Sequence, residues 1–428
     1  MKTSTRVIAV AAAAALAAAS LGAGVANAAQ KDDKSVVIYG AFGGDGAKGF
    51  KGELASFTAR TGIKVTYTNL NDFPAAITVK VKAGQSPDIG IWPQPGALMQ
   101  MAPKLKALES VVDIKAIKKT LIPGWDSIAA KGGKTYGLPI AANIKSLVWY
   151  NPAAFKAAGY AVPKTDAELG ALTKKINADG KGYPWCAALP GWPATDWLEE
   201  YVLRYGGVKT YQAWAAGTVK YNSAVVKKAA AKISEYLLTP GNVNGGGKAA
   251  AAAAWDANFK QLHMSGKDKG QCFMIRQGSF ILGSFDAEVV AEVKDDNLSR
   301  LNVFPLPTPA GATGGTLGGG DLAAAFNTNK DTKAVMNFIL SSKLGQSGWA
   351  NSGFFTSAHK TFPTALYPSK LQQNIGKILA TSASFGFDQS DLVPSAVADM
   401  EHQQLIKWIS GDTTLDDALT AIDASWKK

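Results

Sequence analysis

Cysteine and histidine are scarce in this chain, with two and three residues among 428. Two cysteines exclude a scaffold stapled by many bridges and any four-cysteine zinc or iron–sulfur centre. The histidines stand far apart, at 263, 359 and 402, so a histidine-built metal site is not expected, nor is any cofactor. No run of five basic residues occurs although the formal charge is +12. The lysines are dispersed among acids, which argues against nucleic-acid recognition. The Gly-x-Ser-x-Gly elbow, His-Glu-x-x-His, the EF-hand loop and the Walker loop are all absent. Ser357-Ala358-His359-Lys360 fits Ser-x-x-Lys but lacks its companion motifs. Glu199 and Glu200 could in principle serve a glycosidase, yet they sit adjacent on a helical pattern, where solvated charges are expected. Beyond the first thirty residues no uncharged run is long enough to span a bilayer.

What is present describes a folded protein: 47% hydrophobic, 9% aromatic and 18% charged residues. The start of the chain has its own pattern. Lys2 and Arg6 precede the apolar run Val7 to Leu21, and Ala26-Asn27-Ala28 is a small-x-small cleavage signature. Residues 1–28 therefore read as an export signal. Cutting after Ala28 leaves 400 residues and lowers the charge to +10, because the segment carries Lys2 and Arg6 and no acid. The expected location is the periplasm or cell exterior, with no cysteine placed for a lipid anchor. In an oxidising compartment a Cys186–Cys272 disulfide is the default, and two buried free thiols are the alternative. Closing that loop is worth roughly 4–5 kcal/mol at most in the chain-entropy model.

The remainder alternates strand and helix. Val36–Tyr39, Ile63–Tyr67 and Ile89–Trp92 read as strands, separated by helical patterns over Phe50–Thr61 and Phe73–Ala83. That order predicts a parallel sheet covered by helices. A second α/β region starts with the strand Leu147–Tyr150 and includes a capping box at Thr165 and Glu168. Helices are also expected over Tyr221–Leu238 and over the alanine run before Trp255. Leu322–Phe326 reads as a strand, Thr332–Leu344 as a helix, and the C-terminus as the helices Val393–Ile409 and Thr414–Trp426. The glycine loop Gly40 to Gly49 contains Gly44-x-Gly46-x-x-Gly49, a literal dinucleotide fingerprint. No acid ends the second strand, and the plainer reading is a flexible loop over a crevice with Asp45 at its tip.

Tryptophan is abundant, with 11 residues. Trp92 precedes Pro93-Gln94-Pro95-Gly96, Trp192 lies in Gly191-Trp192-Pro193-Ala194-Thr195-Asp196-Trp197, and Trp349 is near Asn351 and Ser352. Aromatic faces beside planar polar groups suit a sugar, whose C–H face stacks for roughly 2 kcal/mol per ring.

Several motifs together resemble the extracellular solute-binding proteins of carbohydrate ABC importers. They are Thr61-Gly62-Ile63-Lys64-Val65, Ala83-Gly84-x-x-Pro87-Asp88-Ile89, Tyr136-Gly137-Leu138-Pro139 and Lys145-Ser146-Leu147-Val148-Trp149-Tyr150-Asn151. The Trp92 and Trp192 motifs resemble the α-glucoside-binding branch. So do Cys272-x-Met274-x-x-Gln277-Gly278-Ser279-Phe280, Gly318-Gly319-Gly320-Asp321 and Phe387-Asp388-x-Ser390-Asp391. Arg276 and Asn143 depart from that branch's usual pattern.

The resemblance implies a bilobal periplasmic-binding-protein-like α/β fold with a hinge crossed several times, near Asn143–Ser146, Leu301–Phe304 and residue 365. The lobes would comprise residues 32–143 with 304–365, and residues 144–303 with 366–428. It implies a non-enzymatic monomer that closes on an α-glucoside or related di- or oligosaccharide and delivers it to a membrane permease. By motif position the expected ligand residues are Asp45, Trp92, Gln94, Asn143, Trp192, Arg276, Phe280, Asp321 and Asp391. A secreted glycoside hydrolase is the alternative. A sugar-sensing partner of a membrane receptor would use the same fold.

Overall fold

The computed structural model describes residues 34–254, 257–382 and 384–426. The export signal read at residues 1–28 lies outside the described residues, as does Trp255.

The strands in chain order are β1 (Ser35–Gly40), β2 (Lys64–Asn69), β3 (Ile89–Trp92), β4 (Ala129–Lys131), β5 (Lys134–Ile144), β6 (Leu147–Tyr150), β7 (Tyr183–Trp185), β8 (Cys272–Arg276), β9 (Asn302–Pro305), β10 (Thr316–Ala325) and β11 (Phe385–Phe387). One sheet is ordered β2-β1-β3-β10-β5-β4, with β11 also on β10; the other is ordered β7-β8-β6-β9. β1 pairs in parallel with both β2 and β3. The helices Gly44–Thr61 and Phe73–Lys82 carry the chain back across the sheet between them, as the alternating pattern predicts.

The first glycine stretch corrects the sequence reading. Its helix begins at Gly44, so Gly44, Gly46 and Gly49 lie in the first two turns and no open phosphate loop exists. Gly49 is glycine for packing: a Cβ there would come within 2.6 Å of the Trp349 ring. Glu53, one turn on, accepts the amides of Gly345, Ser347 and Trp349 and so holds that indole in place.

β5 and β10 are the long strands, and they run as an antiparallel pair toward the second sheet. β5 ends at Ile144 and β6 begins at Leu147, so the chain changes sheet there. The Lys145 amide donates to the Leu317 carbonyl at 2.8 Å, and the Leu317 amide to the Ser146 hydroxyl at 2.8 Å. Residues 302–305 form β9 of the second sheet, and the passage back follows them, before β10. Beyond residue 365, Leu371, Ile375 and Leu379 still pack in the core of the first sheet, whereas Val393 and Val397 join that of the second. The first core continues onto one face of the second sheet through Trp149, Ile275 and Phe285, so the residues from Lys34 on form one compact unit.

Cys186 and Cys272 are joined by a disulfide, with Cα atoms 5.3 Å apart. The Cys186 amide donates to Met274 of β8, so the bridge lies wholly beside the second sheet.

Candidate functional site

A cavity of about 1140 Å³ lies where the two halves meet. One wall comes from the first sheet's strand ends and the helices after them, through Phe73, Thr78, Gln94 and Met101. The facing wall is the segment from Ser390 to His402. The halves touch closely here, since a Cβ at Gly96 would fall 2.6 Å from the Val393 carbonyl oxygen. The Gln94 side-chain oxygen and the His402 Nε2 are buried without a hydrogen-bond partner among the described residues.

A second group of side chains gathers where β5 and β10 leave the first sheet. Trp192 and Phe280 are half-buried and meet edge to face, with ring centroids 5.6 Å apart. The Lys145 ammonium lies 5.0 Å from the Trp192 ring centre. Asn143 accepts the Gly319 amide at 2.9 Å through Oδ1. A Cβ added at Gly319 would lie 3.4 Å from Asn143 and 3.8 Å from the Lys145 chain, so the missing side chain leaves the two exposed to each other. Phe354 spans the halves: a Cβ at Gly283 would strike its ring at 2.0 Å, while Gly46 faces its Cβ on the other side.

Asp321 follows these glycines on β10, opposite Ala141 of β5, and its carboxyl has no hydrogen-bond or ion-pair partner among the described residues. Burial pushes its carboxyl up to about 7. Its charge is felt at Tyr67 and at Asp391, which places the three near one another. Asp391 is raised well above the usual carboxylate range, first by burial and then by Asp388, against the pull of Lys145.

Behind the aromatic pair lies a closed network of charges. Lys145 pairs with Asp196 at 2.9 Å and with Asp388. Arg276 pairs with Asp196 at 3.3 Å and Glu200 at 2.9 Å, and Glu200 also takes Arg204 at 2.6 Å. Burial would raise Asp388 and Glu200, but their cationic neighbours outweigh it and hold both below the usual range. Glu199 is different: burial, then Asp388 and Asp196, raise it well above that range. Tyr211 has one proton and lies 2.9 Å from both Glu199 Oε2 and the Phe387 carbonyl oxygen. A carbonyl only accepts, so a protonated Glu199 satisfies both contacts. Oxygens of Asp196, Glu199 and Asp388 lie within 4.8 Å of one another, but the Lys145 ammonium already binds two of these carboxylates.

The residues expected from the sequence thus divide. Gln94 and Asp391 line the cavity, Trp192 meets Phe280, and Asn143 and Asp321 stand at the adjoining strand ends. Trp92 instead lies in the core at 1% exposure, edge to face with Phe73 and folded back over Gly90. Arg276 is spent in the buried network. Asp45 is exposed in the first turn of its helix and is not among the residues lining the cavity. Glu199 and Glu200, expected to be solvated, are fully buried. The Trp192 segment opens the helix Trp192–Ala215. Lys145, Asp196 and Asp388 stand within the family motifs, but a motif does not say which of its members face inward.

No helix among the described residues is long and apolar enough to cross a membrane. The family model described as bacterial extracellular solute-binding protein matches residues 43–346. The osmoprotective compounds-binding protein GgtB of Synechocystis sp. is 32% identical over 93% of this chain and 94% of its own length. The alpha-glucosides-binding periplasmic protein AglE of Rhizobium meliloti is 30% identical over 92% and 87%. Among solved structures, maltose-bound MalE3 of T. maritima shares the fold, with a TM-score of 0.67 at 17% identity over 91% of this chain and 98% of that one. These matches, spanning most of the chain, establish that it belongs to the bacterial extracellular solute-binding proteins.

Proposed function

We propose that the protein binds a carbohydrate, an α-glucoside or related di- or oligosaccharide, between its two halves. It then closes about the β5–β10 hinge and delivers the sugar to the permease of an ABC importer. The observation that carries this reading is the half-buried Trp192–Phe280 pair beside Asn143, Asp321 and Asp391. Aromatic edges and faces take the apolar side of a pyranose, while the carboxylates and amide take its hydroxyls. The name of AglE and the maltose bound to MalE3 favour an α-glucoside. The 32% identity with GgtB favours a second reading, an osmoprotective solute.

Titration calorimetry of the exported chain with maltose, trehalose, sucrose and glycine betaine separates the two. Binding of a sugar, with loss of about 2 kcal/mol in the Trp192→Ala variant, supports the first. Binding of betaine alone supports the second. Undiminished sugar affinity in both Trp192→Ala and Asp321→Ala would overturn the site assignment.

A further inference from the structure

The end of the first sheet away from the cavity carries a row of lysines. β2 begins at Lys64, and β5 begins at Lys134 opposite Lys131 of β4. Between them, the Lys106 amide donates to the carbonyl of Ala325, the last residue of β10, at 2.8 Å. Lys330 opens the helix after β10, and Lys82 closes the helix that returns from the cavity before β3. These six residues therefore mark the rim from its first strand to its last. With neighbouring strands ~4.8 Å apart, the row is about 24 Å long. All six are exposed, and none makes an ion pair among the described residues.

Asp88, Glu109 and Asp331 offset the row only in part, three carboxylates against six ammonium groups. Asp88 accepts the Val37 amide at 2.8 Å and the Asn327 side chain at 2.6 Å. Glu109 accepts the Thr135 amide at 3.0 Å, and Asp331 stands in the first turn of the helix begun by Lys330. Lysines at strand and helix ends are ordinary solvated residues one at a time. Here six of them, all unpaired, share one rim.

We propose that this rim docks a linear phosphodiester polyanion of the cell envelope. Exposed ammonium groups strung along a line suit repeated phosphates along a chain, whereas a discrete anion needs donors converging on one point. β5 separates Lys134 from Asn143 by nine residue steps, about 30 Å, so a polymer held on the rim leaves the cavity open to solute. Docking of this kind is independent of which solute the cavity takes.

The test uses the exported full chain on immobilised synthetic poly(glycerol phosphate), at low and at physiological salt. A rim variant, Lys64→Glu with Lys106→Glu and Lys134→Glu, is compared with a control of equal charge change, Lys174→Glu with Lys269→Glu and Lys294→Glu. The rim variant is expected to lose about tenfold or more in affinity and the control about twofold or less, with affinity falling steeply as salt rises. Thermal melting and solute affinity of both variants should match the parent. A Lys→Gln series at the same rim positions, which adds no acid, should show a graded loss and covers the case of a rim variant that folds poorly. Equal loss in both charge-reversal variants would mean that net charge alone governs binding. That result, failure of the parent to bind the polymer, or binding to phosphatidylglycerol vesicles without binding to the polymer would overturn the proposal.

Discussion

Lys145 and Asp196 form an ion pair at 2.9 Å with both side chains sealed from solvent, joining the hinge to the helix that begins at Trp192. Removing one member of a buried pair leaves the other charge uncompensated, at a cost of about 3–5 kcal/mol. Lys145→Met should therefore lower unfolding free energy by that amount in urea titrations. Adding Asp388→Asn should restore part of the loss, because one of the two stranded carboxylates is gone. Strictly additive losses would show that Lys145 and Asp388 do not interact energetically.

Asp321 sets a pH dependence. Its carboxyl is raised to about 7 in the native protein, while an unfolded chain titrates near its ordinary value of about 4. Between those values the native state holds a proton that the unfolded state has released. Stability therefore falls as pH rises through this window and levels off above it. The Asp321→Asn variant should be about 4 kcal/mol more stable than the parent at pH about 8, and nearly equal to it at pH about 4. A pH-independent difference in chemical denaturation would contradict the assignment.

The disulfide should matter to stability and little to solute binding. Replacing Cys186 and Cys272 together by alanine opens a loop of 86 residues and is expected to cost about 2–4 kcal/mol. Both cysteines sit beside the second sheet, so calorimetric affinity should change by about twofold or less. A large affinity loss would mean that the bridge shapes the cavity itself.

Two glycines separate packing from closure. Gly49→Ala drives a methyl into Trp349 within one half and should cost about 1–3 kcal/mol of stability. Gly283→Ala drives one into Phe354, which reaches across from the other half. That variant should melt close to the parent but bind solute about tenfold more weakly, since the methyl holds the halves apart under the proposed closure. The reverse pattern would place Phe354 outside the closing contact.

Much of the architecture was legible from periodicity. β1, β2 and β3 and the helices between them follow their apolar patterns because they share one core, while β6 is apolar throughout because Leu147 and Trp149 face the first core and Val148 and Tyr150 the second. β5 escaped notice: it is buried along nearly its whole length and interrupted by Gly137 and Pro139, so it shows neither alternation nor strand-like composition. The site was legible only in part. Glu199 and Glu200 look solvated in the sequence because their neighbours Lys145, Arg276 and Gln389 are distant along the chain. Trp92 and Trp192 have similar surroundings in sequence, yet one ring folds back over Gly90 and the other opens toward Phe280. Side-chain direction at a strand end is decided by partners that no local motif names.

β10 carries Gly318, Gly319 and Gly320 where it passes between the halves. The segment has no side chains of its own, and the rings of Phe385 and Trp125 lie against its bare backbone, 2.6 Å and 2.8 Å from where Cβ atoms on Gly318 and Gly320 would stand. Under the proposed closure, the equilibrium between open and closed forms then resides in the groups that meet across the gap, Phe354 on Gly283 and Gly96 on Val393. Under the same proposal, the glycine ribbon would govern the speed and amplitude of the swing. Affinity and rate of solute release would be adjustable by separate substitutions, one set at the jaws and the other at the pivot.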